Sequence, residues 1–521
     1  MPRQRLLPVA VFLLFFSVLI SPANRDLFVG DETKYGQVVR EMRTTGAFFL
    51  PTLNGAPFTH KPPLHFWAID LLTFPLGIYS TWAFVLPSIA AFAFLLWLMW
   101  RRGGPLAAYV CGTSLLIWGS AQTARMDVAF TALIALGLLQ METFFERDDR
   151  RALLWCGVAL GVATLVKGPM AIVIGLVLFL LESLRRRPSP GASRHPLPRA
   201  GEGPQPPSPR VRGEGARRAD EGLALLVMIV IPLLWFVPAV LVGGGDYARD
   251  VMVKQTVGRA IASWVHKAPP WYYLERLPLS LFPWFFLALA SAIALWRTHR
   301  FLINWIIAVL LPYSLMSSKL DVYMMAMIPA VALLVAEGVR AGVRWARAAN
   351  LIAIAIVFIG AIVGGVKMPR EFDSVAGVNG LIAFTLVVSV VAFVIAARAS
   401  LETSTIAAGA VTVAVLVFVA AYLLPFVNGF GSTQALVTVL ERQRVPPEEI
   451  ALYSTPYLWT RDLPRSLERV VYADPETLLR RKPNLIVTSR RHAKEIAPAL
   501  TGYRKVDEVR MIGKWFDVYR R

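Results

Sequence analysis

Residues 152 to 181, ALLWCGVALGVATLVKGPMAIVIGLVLFLL, are apolar except around one triplet, Lys167-Gly168-Pro169. A helix of about 30 residues would be a rod of about 45 Å, longer than the roughly 30 Å hydrocarbon core of a bilayer. Proline lacks the N–H that a continuing helix needs, and its ring clashes with the preceding turn. The triplet therefore breaks the run, and the segment is expected to form a transmembrane hairpin.

Similar runs extend on both sides of this hairpin. The chain of 521 residues is 56% hydrophobic and only 17% charged. No aqueous surface covers such a balance, so most of the chain belongs in lipid. The first run, Leu6 to Ile20, follows Arg3 and Arg5 without an A-x-A-like cleavage site after it, and reads as a retained helix. Further spans are expected near residues 82 to 100, 105 to 122, 128 to 146, 223 to 243, 279 to 296, 301 to 316, 322 to 338, 349 to 366, 379 to 397 and 402 to 425. Pro62 to Tyr79 opens on two prolines and carries Asp70, so an interfacial or re-entrant helix is expected there. The sum is about 13 transmembrane helices in a polytopic α-helical membrane protein of the cell inner (plasma) membrane.

A net charge of +20 would suggest nucleic acid in a soluble protein. Here the arginines cluster at the ends of apolar runs: Arg101/Arg102, Arg147 with Arg150/Arg151, Arg185 to Arg187, Arg297/Arg300, Arg340/Arg344/Arg347 and Arg398. Such clusters favour the cytoplasm and set topology, so no nucleic-acid partner is expected. With all of them inside, the N-terminus is cytoplasmic and the C-terminus external. Polar segments 21–61 and 244–277, the Arg125-Met126-Asp127 turn and Ser317 to Tyr323 then share the outer face. Cys111 and Cys156 lie within apolar runs, with no spacing for a metal or a disulfide.

Two segments stand apart from this transmembrane domain of residues 1–425. Residues 184–222 are rich in Pro, Gly, Arg and Ser and are expected to be a disordered cytoplasmic loop. Residues 432–521 lose the apolar runs and alternate short β-rich stretches with helical ones, which suggests a small external soluble α/β domain.

Chemistry is expected in the external segments. Tyr35, Val38, Val39 and Met42 fall at i, i+3, i+4 and i+7, an amphipathic helix with Asp31 at its start. Asp31 suits a helix cap as well as a catalytic base, and position alone does not separate the two. Lys61, pinned before Pro62-Pro63, suits a phosphate at the membrane surface, although taken singly it fits ordinary snorkelling better. Asp127 either helps to place an acceptor or pairs with Arg125 to finish a helix. His60 and His266 lack a fixed spacing, so no obligatory metal is expected, although imidazole would suit a divalent ion. Aromatics Trp264, Trp271, Tyr272 and Tyr273 suit an interfacial belt.

Taken in order, these residues carry a resemblance. Asp31-Glu32-Thr33-x-Tyr35, Arg40-Glu41-Met42, Leu53-Asn54-Gly55 and Lys61-Pro62-Pro63 resemble the first external loop of bacterial aminoarabinose and dolichyl-phosphate-mannose-type transferases. Arg125-Met126-Asp127, Lys167-Gly168-Pro169, Arg259 followed by His266 to Tyr273, Pro283-Trp284 and Ser318-Lys319-Leu320-x-x-Tyr323 continue the match through residues 30 to 330. His60 stands where aminoarabinose enzymes often carry Glu, and Gln255 where an acid is usual.

The resemblance implies the C-type glycosyltransferase fold and an inverting glycosyltransferase. The donor would be a polyprenyl-phosphate sugar, undecaprenyl-linked in a bacterium, with a pentose or hexose of aminoarabinose or mannose type. The acceptor would be lipid A, another glycolipid, a polysaccharide or a protein on the periplasmic side. It further implies Asp31 and Asp127 as catalytic groups, and Lys61, Arg259 and Lys319 as cations for the donor phosphate. Glu32, Tyr35, His60, His266 and Tyr323 become substrate-binding candidates. A lipid-linked-sugar flippase or transporter is the alternative; its site would lie nearer the membrane midplane, whereas these charges gather at the external ends of spans.

Overall fold

The computed structural model describes residues 6–186, 209–258, 268–367 and 377–521. It begins with α1 (Leu6–Ser17), α2 (Ile20–Asn24), α3 (Asp31–Thr45), a small antiparallel hairpin of β1 (Thr52–Leu53) and β2 (Ala56–Pro57), and α4 (Leu64–Leu76). Then come α5 (Thr81–Gly112), α6 (Leu115–Ala121), α7 (Asp127–Arg147), α8 (Arg150–Lys167), α9 (Met170–Arg185) and α10 (Pro209–Arg249).

Among the described residues, eight helices are long and apolar enough to cross a membrane: Leu6–Asn24, Thr81–Gly112, Asp127–Arg147, Arg217–Gln255, Asp321–Arg340, Ala346–Val366, Val378–Arg398 and Leu401–Leu423. A ninth arises if Tyr272–Ser280 and Phe285–Leu295 count as one span, although they meet at 110°. The single helix expected at 279–296 is thus broken, at a segment that includes Pro283, which has no N–H to offer a continuing helix. The separate crossings expected at 82–100 and 105–122 are not two such helices. The first lies in Thr81–Gly112, and the second is divided between the end of that helix and Leu115–Ala121. The remaining expected crossings fall on helices that are shorter or carry charge at their ends. α4 has only 13 residues, about 20 Å, and exposes Leu71, Phe74 and Leu76.

The segment around Lys167 folds for local reasons. α7 ends where Asp148 takes a left-handed conformation, and the Asp149 carboxylate then caps α8 by accepting from the backbone N–H groups of Arg151 (2.9 Å) and Ala152 (3.3 Å). α8 ends at Gly168, whose φ of 103° suits glycine, and Pro169 precedes α9. Lys167 meets Asp127 at the start of α7, while Arg186, just past α9, donates to the carbonyl of Phe145 near its end. α8 and α9 therefore run antiparallel, as a hairpin.

The expectation of disorder over 184–222 divides. Residues 187–208 lie outside the described residues, but 209–222 are the beginning of α10. This part is corrected to helix, and pairs hold it: Arg217 to Glu221 at i,i+4 (3.2 Å) and Asp220 to Arg150 (3.0 Å).

From residue 434 the chain builds a five-stranded sheet, order β4-β3-β5-β7-β6, from β3 (Ile450–Tyr453), β4 (Val471–Tyr472), β5 (Leu485–Ser489), β6 (Arg504–Met511) and β7 (Lys514–Arg520). β3 is parallel to β4 and β5, while β7 is antiparallel to β5 and β6. Alternation puts Ile450, Leu452, Leu485 and Val487 into one core with Leu436 and Leu440, and Ala451 and Ile486 into another with Leu478 and Ile496.

This sheet unit is seated on α3 and its surroundings. Trp459 packs on Gly36 and against Tyr79 and Phe84. Arg461 donates to the carbonyls of Pro22 (2.6 Å), Ala23 (3.0 Å) and Arg25 (2.6 Å). Those carbonyls sit at the end of α2, where a guanidinium opposes the negative end of the helix dipole.

Candidate active site

Four chain segments converge where α7 begins: the start of α3, the segment before α7, the end of α8 and the turn Asp321–Met327. Their relative placement depends on a buried ion pair. Arg25 and Glu32 bond in parallel at 2.7 and 2.9 Å, with side-chain exposures of 2% and 7%. Glu32 also accepts from the N–H groups of Phe28 (2.8 Å) and Ala124 (2.6 Å), and Arg25 donates to the carbonyl of Gln122 (2.6 Å). The first turn of α3 is thereby tied to residues 122–124, and the next residue is Arg125.

Arg125 then lies between two carboxylates, at 3.4 Å from Asp31 and 3.2 Å from Asp127. Asp127 is 3% exposed and also pairs with Lys167. The Lys167 ammonium lies 5.0 Å from the ring centre of Tyr323 and 5.5 Å from that of Phe130. Tyr323 stacks on Tyr313 at 4.6 Å. Lys61 is half-buried, and its field also reaches Asp127.

Asp31 differs from Asp127 in access. Its side chain is 43% exposed, with Lys34 at 3.9 Å, and it lines a cavity of about 740 Å³. Tyr35, one turn along α3, is buried beside both acids. Burial, then the charges of Asp31 and Asp127, push its phenol well above the usual range, so the hydroxyl keeps its proton and stays a donor. His65, on α4, is wholly buried against Tyr35 and Phe66, and burial holds its imidazole down at about 4.

The expected site residues are thus partly assembled. Asp31, Asp127, Tyr35, Lys61 and Tyr323 gather around Arg125 and Lys167. Arg259 and His266 lie outside the described residues. His60 is exposed, its ring 5.2 Å from that of Phe58. Among the described residues no three of His, Cys, Asp and Glu group as metal ligands would.

Two expectations need correction. Lys319 is 3% exposed, and its ammonium donates to the carbonyls of Tyr313 (3.3 Å), Ser314 (2.9 Å) and Met316. Its three donors are spent at the end of the helix Arg300–Leu315, which leaves none for a phosphate. Glu32 has both oxygens filled twice over within the protein, so it is a frame residue rather than a substrate ligand.

Sequence reading missed Lys167 as a site residue because the triplet explained itself as a helix breaker. The signal was there: a lysine closing an apolar run needs an anion at the same depth, and Asp127 opens the neighbouring helix. His65 gave no signal, because its apolar neighbours suit a core position.

Residues 60–195, which include Lys61, Arg125, Asp127 and Lys167, match the family described as dolichyl-phosphate-mannose-protein mannosyltransferase. Similar curated proteins are named undecaprenyl phosphate-alpha-4-amino-4-deoxy-L-arabinose arabinosyl transferases. The protein from Pseudomonas fluorescens is 26% identical over 65% of this chain and 57% of its own length. That from Pectobacterium carotovorum is 26% identical over 73% of this chain and 70% of its own, and one from Pseudomonas aeruginosa is 29% identical over 62% and 57%. The chain thus spans little more than half of the length of most of these relatives.

Among solved structures, ArnT from Cupriavidus metallidurans bound to undecaprenyl phosphate superimposes with a TM-score of 0.72 at 20% identity, over 98% of this chain and 96% of that one. Its apo form gives 0.73 at 19%, over 100% and 98%. At such identity the likeness is one of fold, a helical membrane architecture shared along the whole chain. This multi-pass membrane chain is thus similar in fold to ArnT, and in sequence to the curated arabinosyl transferases and, over residues 60–195, to the dolichyl-phosphate-mannose-protein mannosyltransferase family.

Proposed function

We propose that the chain is an integral-membrane glycosyltransferase that moves a pentose or hexose from a polyprenyl-phosphate donor to lipid A or another acceptor, with inversion, on the periplasmic side of the inner membrane. In this reading the shorter helices join the eight long ones to make about 13 crossings, with the N-terminus inside and the C-terminal sheet unit outside.

The observation that carries the reading is the unequal access of the two carboxylates bridged by Arg125. Asp31 is open to a large cavity, and Asp127 is buried between two cations. An inverting transfer needs an accessible base on one side of the sugar and fixed positive charge on the other. Asp31 accepts the proton of the acceptor hydroxyl as its oxygen bonds to the anomeric carbon. The bond from that carbon to the lipid phosphate oxygen breaks, and polyprenyl phosphate leaves with the electron pair. Lys61 and Arg259 meet the charge gained by the leaving phosphate. Asp127 is a positioning residue that holds Arg125 and Lys167 in register, and Tyr35 supplies a proton-bearing hydroxyl.

The test is release of undecaprenyl phosphate from undecaprenyl-phosphate sugars by the purified protein. Asp31→Asn should lower turnover by about 10²- to 10⁴-fold, the usual worth of a general base. Full activity in that variant would overturn the assignment, and transbilayer movement of labelled lipid without donor consumption would favour a flippase.

A further inference from the structure

A separate cavity lies at the other end of the helices that build the site. α7 starts at Asp127 and carries Glu142 and Glu146 to it, 15 and 19 residues on, roughly 22 to 29 Å at 1.5 Å per residue. α9 starts beside Lys167 and brings Arg185 and Arg186, and α5 brings Arg102. The helix Arg300–Leu315 opens on the cavity, and its last turn meets Lys319. The first backbone N–H groups of a helix have no partner within it, and that end is the positive pole of its dipole.

Most of the charge there is already paired. Arg102 binds Glu142 at 2.9 Å, Arg185 and Arg186 approach the buried Glu182 at 2.6 and 3.7 Å, and Arg340 holds Glu337 at 2.6 Å. Arg297 and Arg300 also line the cavity, are exposed, and enter no ion pair among the described residues. Against them stands Glu146, exposed and likewise without an ion pair among the described residues. Six arginines thus meet four glutamates, a surplus of two positive charges around about 290 Å³. Apolar surface continues from the same helices: Leu180 and Leu184 on α9, and Ile293 and Trp296 before Arg297, are each at least half exposed. The Arg297 guanidinium lies 5.1 Å from the centre of the Trp296 ring. Exposed tryptophans beside arginines suit the headgroup level of a bilayer.

We propose that this cavity binds the headgroup of an anionic phospholipid, with the phosphate on Arg297 and Arg300 and the acyl chains against Ile293, Trp296 and the exposed leucines of α9. Guanidinium groups fork onto phosphate oxygens, and basic pockets between membrane helices on the cytoplasmic side suit such headgroups. The volume is close to the lower bound of roughly 300 Å³ for small-ligand sites, so a headgroup enters and the chains stay outside. A soluble phosphate shares the chemistry of the headgroup, and the apolar flank favours the lipid. The bound lipid ties together the helices Phe285–Leu295 and Arg300–Leu315, and the second of these carries Tyr313, on which Tyr323 stacks. The proposal stands apart from the transfer reading, since none of the residues around Arg125 lines this cavity.

The experiment follows thermal unfolding of the full chain after exchange into an uncharged detergent, with added dioctanoyl-phosphatidylglycerol, dioctanoyl-phosphatidylcholine or glycerol 3-phosphate. Phosphatidylglycerol should raise Tm in a saturable way, because a ligand of the folded chain stabilises it by mass action. Phosphatidylcholine, whose headgroup is neutral overall, should leave it unchanged. In Arg297→Gln/Arg300→Gln the half-saturating concentration should rise about 100-fold, from about tenfold per charge-assisted contact. Arg297→Lys/Arg300→Lys, which keeps both charges, should regain part of the lost affinity. Arg101→Gln/Arg147→Gln removes as much charge from the same end of the helices, outside the cavity, and should respond as the wild type does. A wild-type chain that ignores phosphatidylglycerol, or a wild-type response in Arg297→Gln/Arg300→Gln, overturns the site. Equal losses in the two glutamine pairs reduce the effect to general surface charge and overturn it as well. An equal rise in Tm with glycerol 3-phosphate at the same concentration overturns the lipid as occupant.

Discussion

Replacing Glu32 with leucine should destabilise the protein severely, because it strands a buried guanidinium. Arg25 would lose both charged contacts, at 2.7 and 2.9 Å, and keep only neutral acceptors: the carbonyls of Asp26 (2.8 Å) and Gln122 (2.6 Å) and the Ser21 hydroxyl (3.2 Å). Breaking a buried pair from one side costs about 3–5 kcal/mol. The N–H groups of Phe28 and Ala124 also lose their acceptor, and each adds about 1–3 kcal/mol where water cannot replace it. A loss of at least about 4 kcal/mol is therefore expected in equilibrium unfolding in mixed detergent. The companion variant Arg25→Met/Glu32→Leu removes the stranded charge, and its loss should fall short of the sum of the single losses by about 2 kcal/mol or more. A single loss below about 1 kcal/mol, or strict additivity in the double variant, would refute the frame role. A substrate ligand at this position would instead raise KM and leave stability alone.

Two further outcomes follow from burial. The His65 imidazole is held at about 4 in the folded chain, so only the unfolded chain takes up its proton between the ordinary 6.5 and that value. Stability is whole above pH 6.5 and falls as the pH drops toward 4, by about 3 kcal/mol in total, at about 1.4 per unit of pKa difference. His65→Phe should remove that share of the acid loss in unfolding at pH 7.5 and 4.5, and an unchanged difference would contradict it. At Gly36 an added Cβ would come within 2.6 Å of the Trp459 ring, so Gly36→Ala should loosen the sheet unit from α3 at a cost of about 1–3 kcal/mol. Faster proteolysis around Ser432 reports the loosening, and wild-type resistance would show that Trp459 moves aside freely.

What one sequence determines here is whatever lipid dictates locally. Apolar run length sets where helices lie, and the Gly168-Pro169 step breaks the run locally, since Gly168 takes a φ of 103° and Pro169 has no N–H to offer. Charge at run ends identified Asp31, Lys61 and Asp127 as residues facing the same polar layer. Glu32 and Lys319 looked equally eligible, because sequence shows that a charge is present and not which partner it meets. Only the tertiary structure spends Glu32 on Arg25, seven residues away, and Lys319 on the carbonyls of the preceding helix. The same holds for Lys167 and Asp127, brought together by the antiparallel packing of α7 and α8, and for the cavity at Asp31, whose second wall comes from more than 400 residues later. Span length is a property of contiguous residues, whereas the state of a buried charge depends on which segments fold over it.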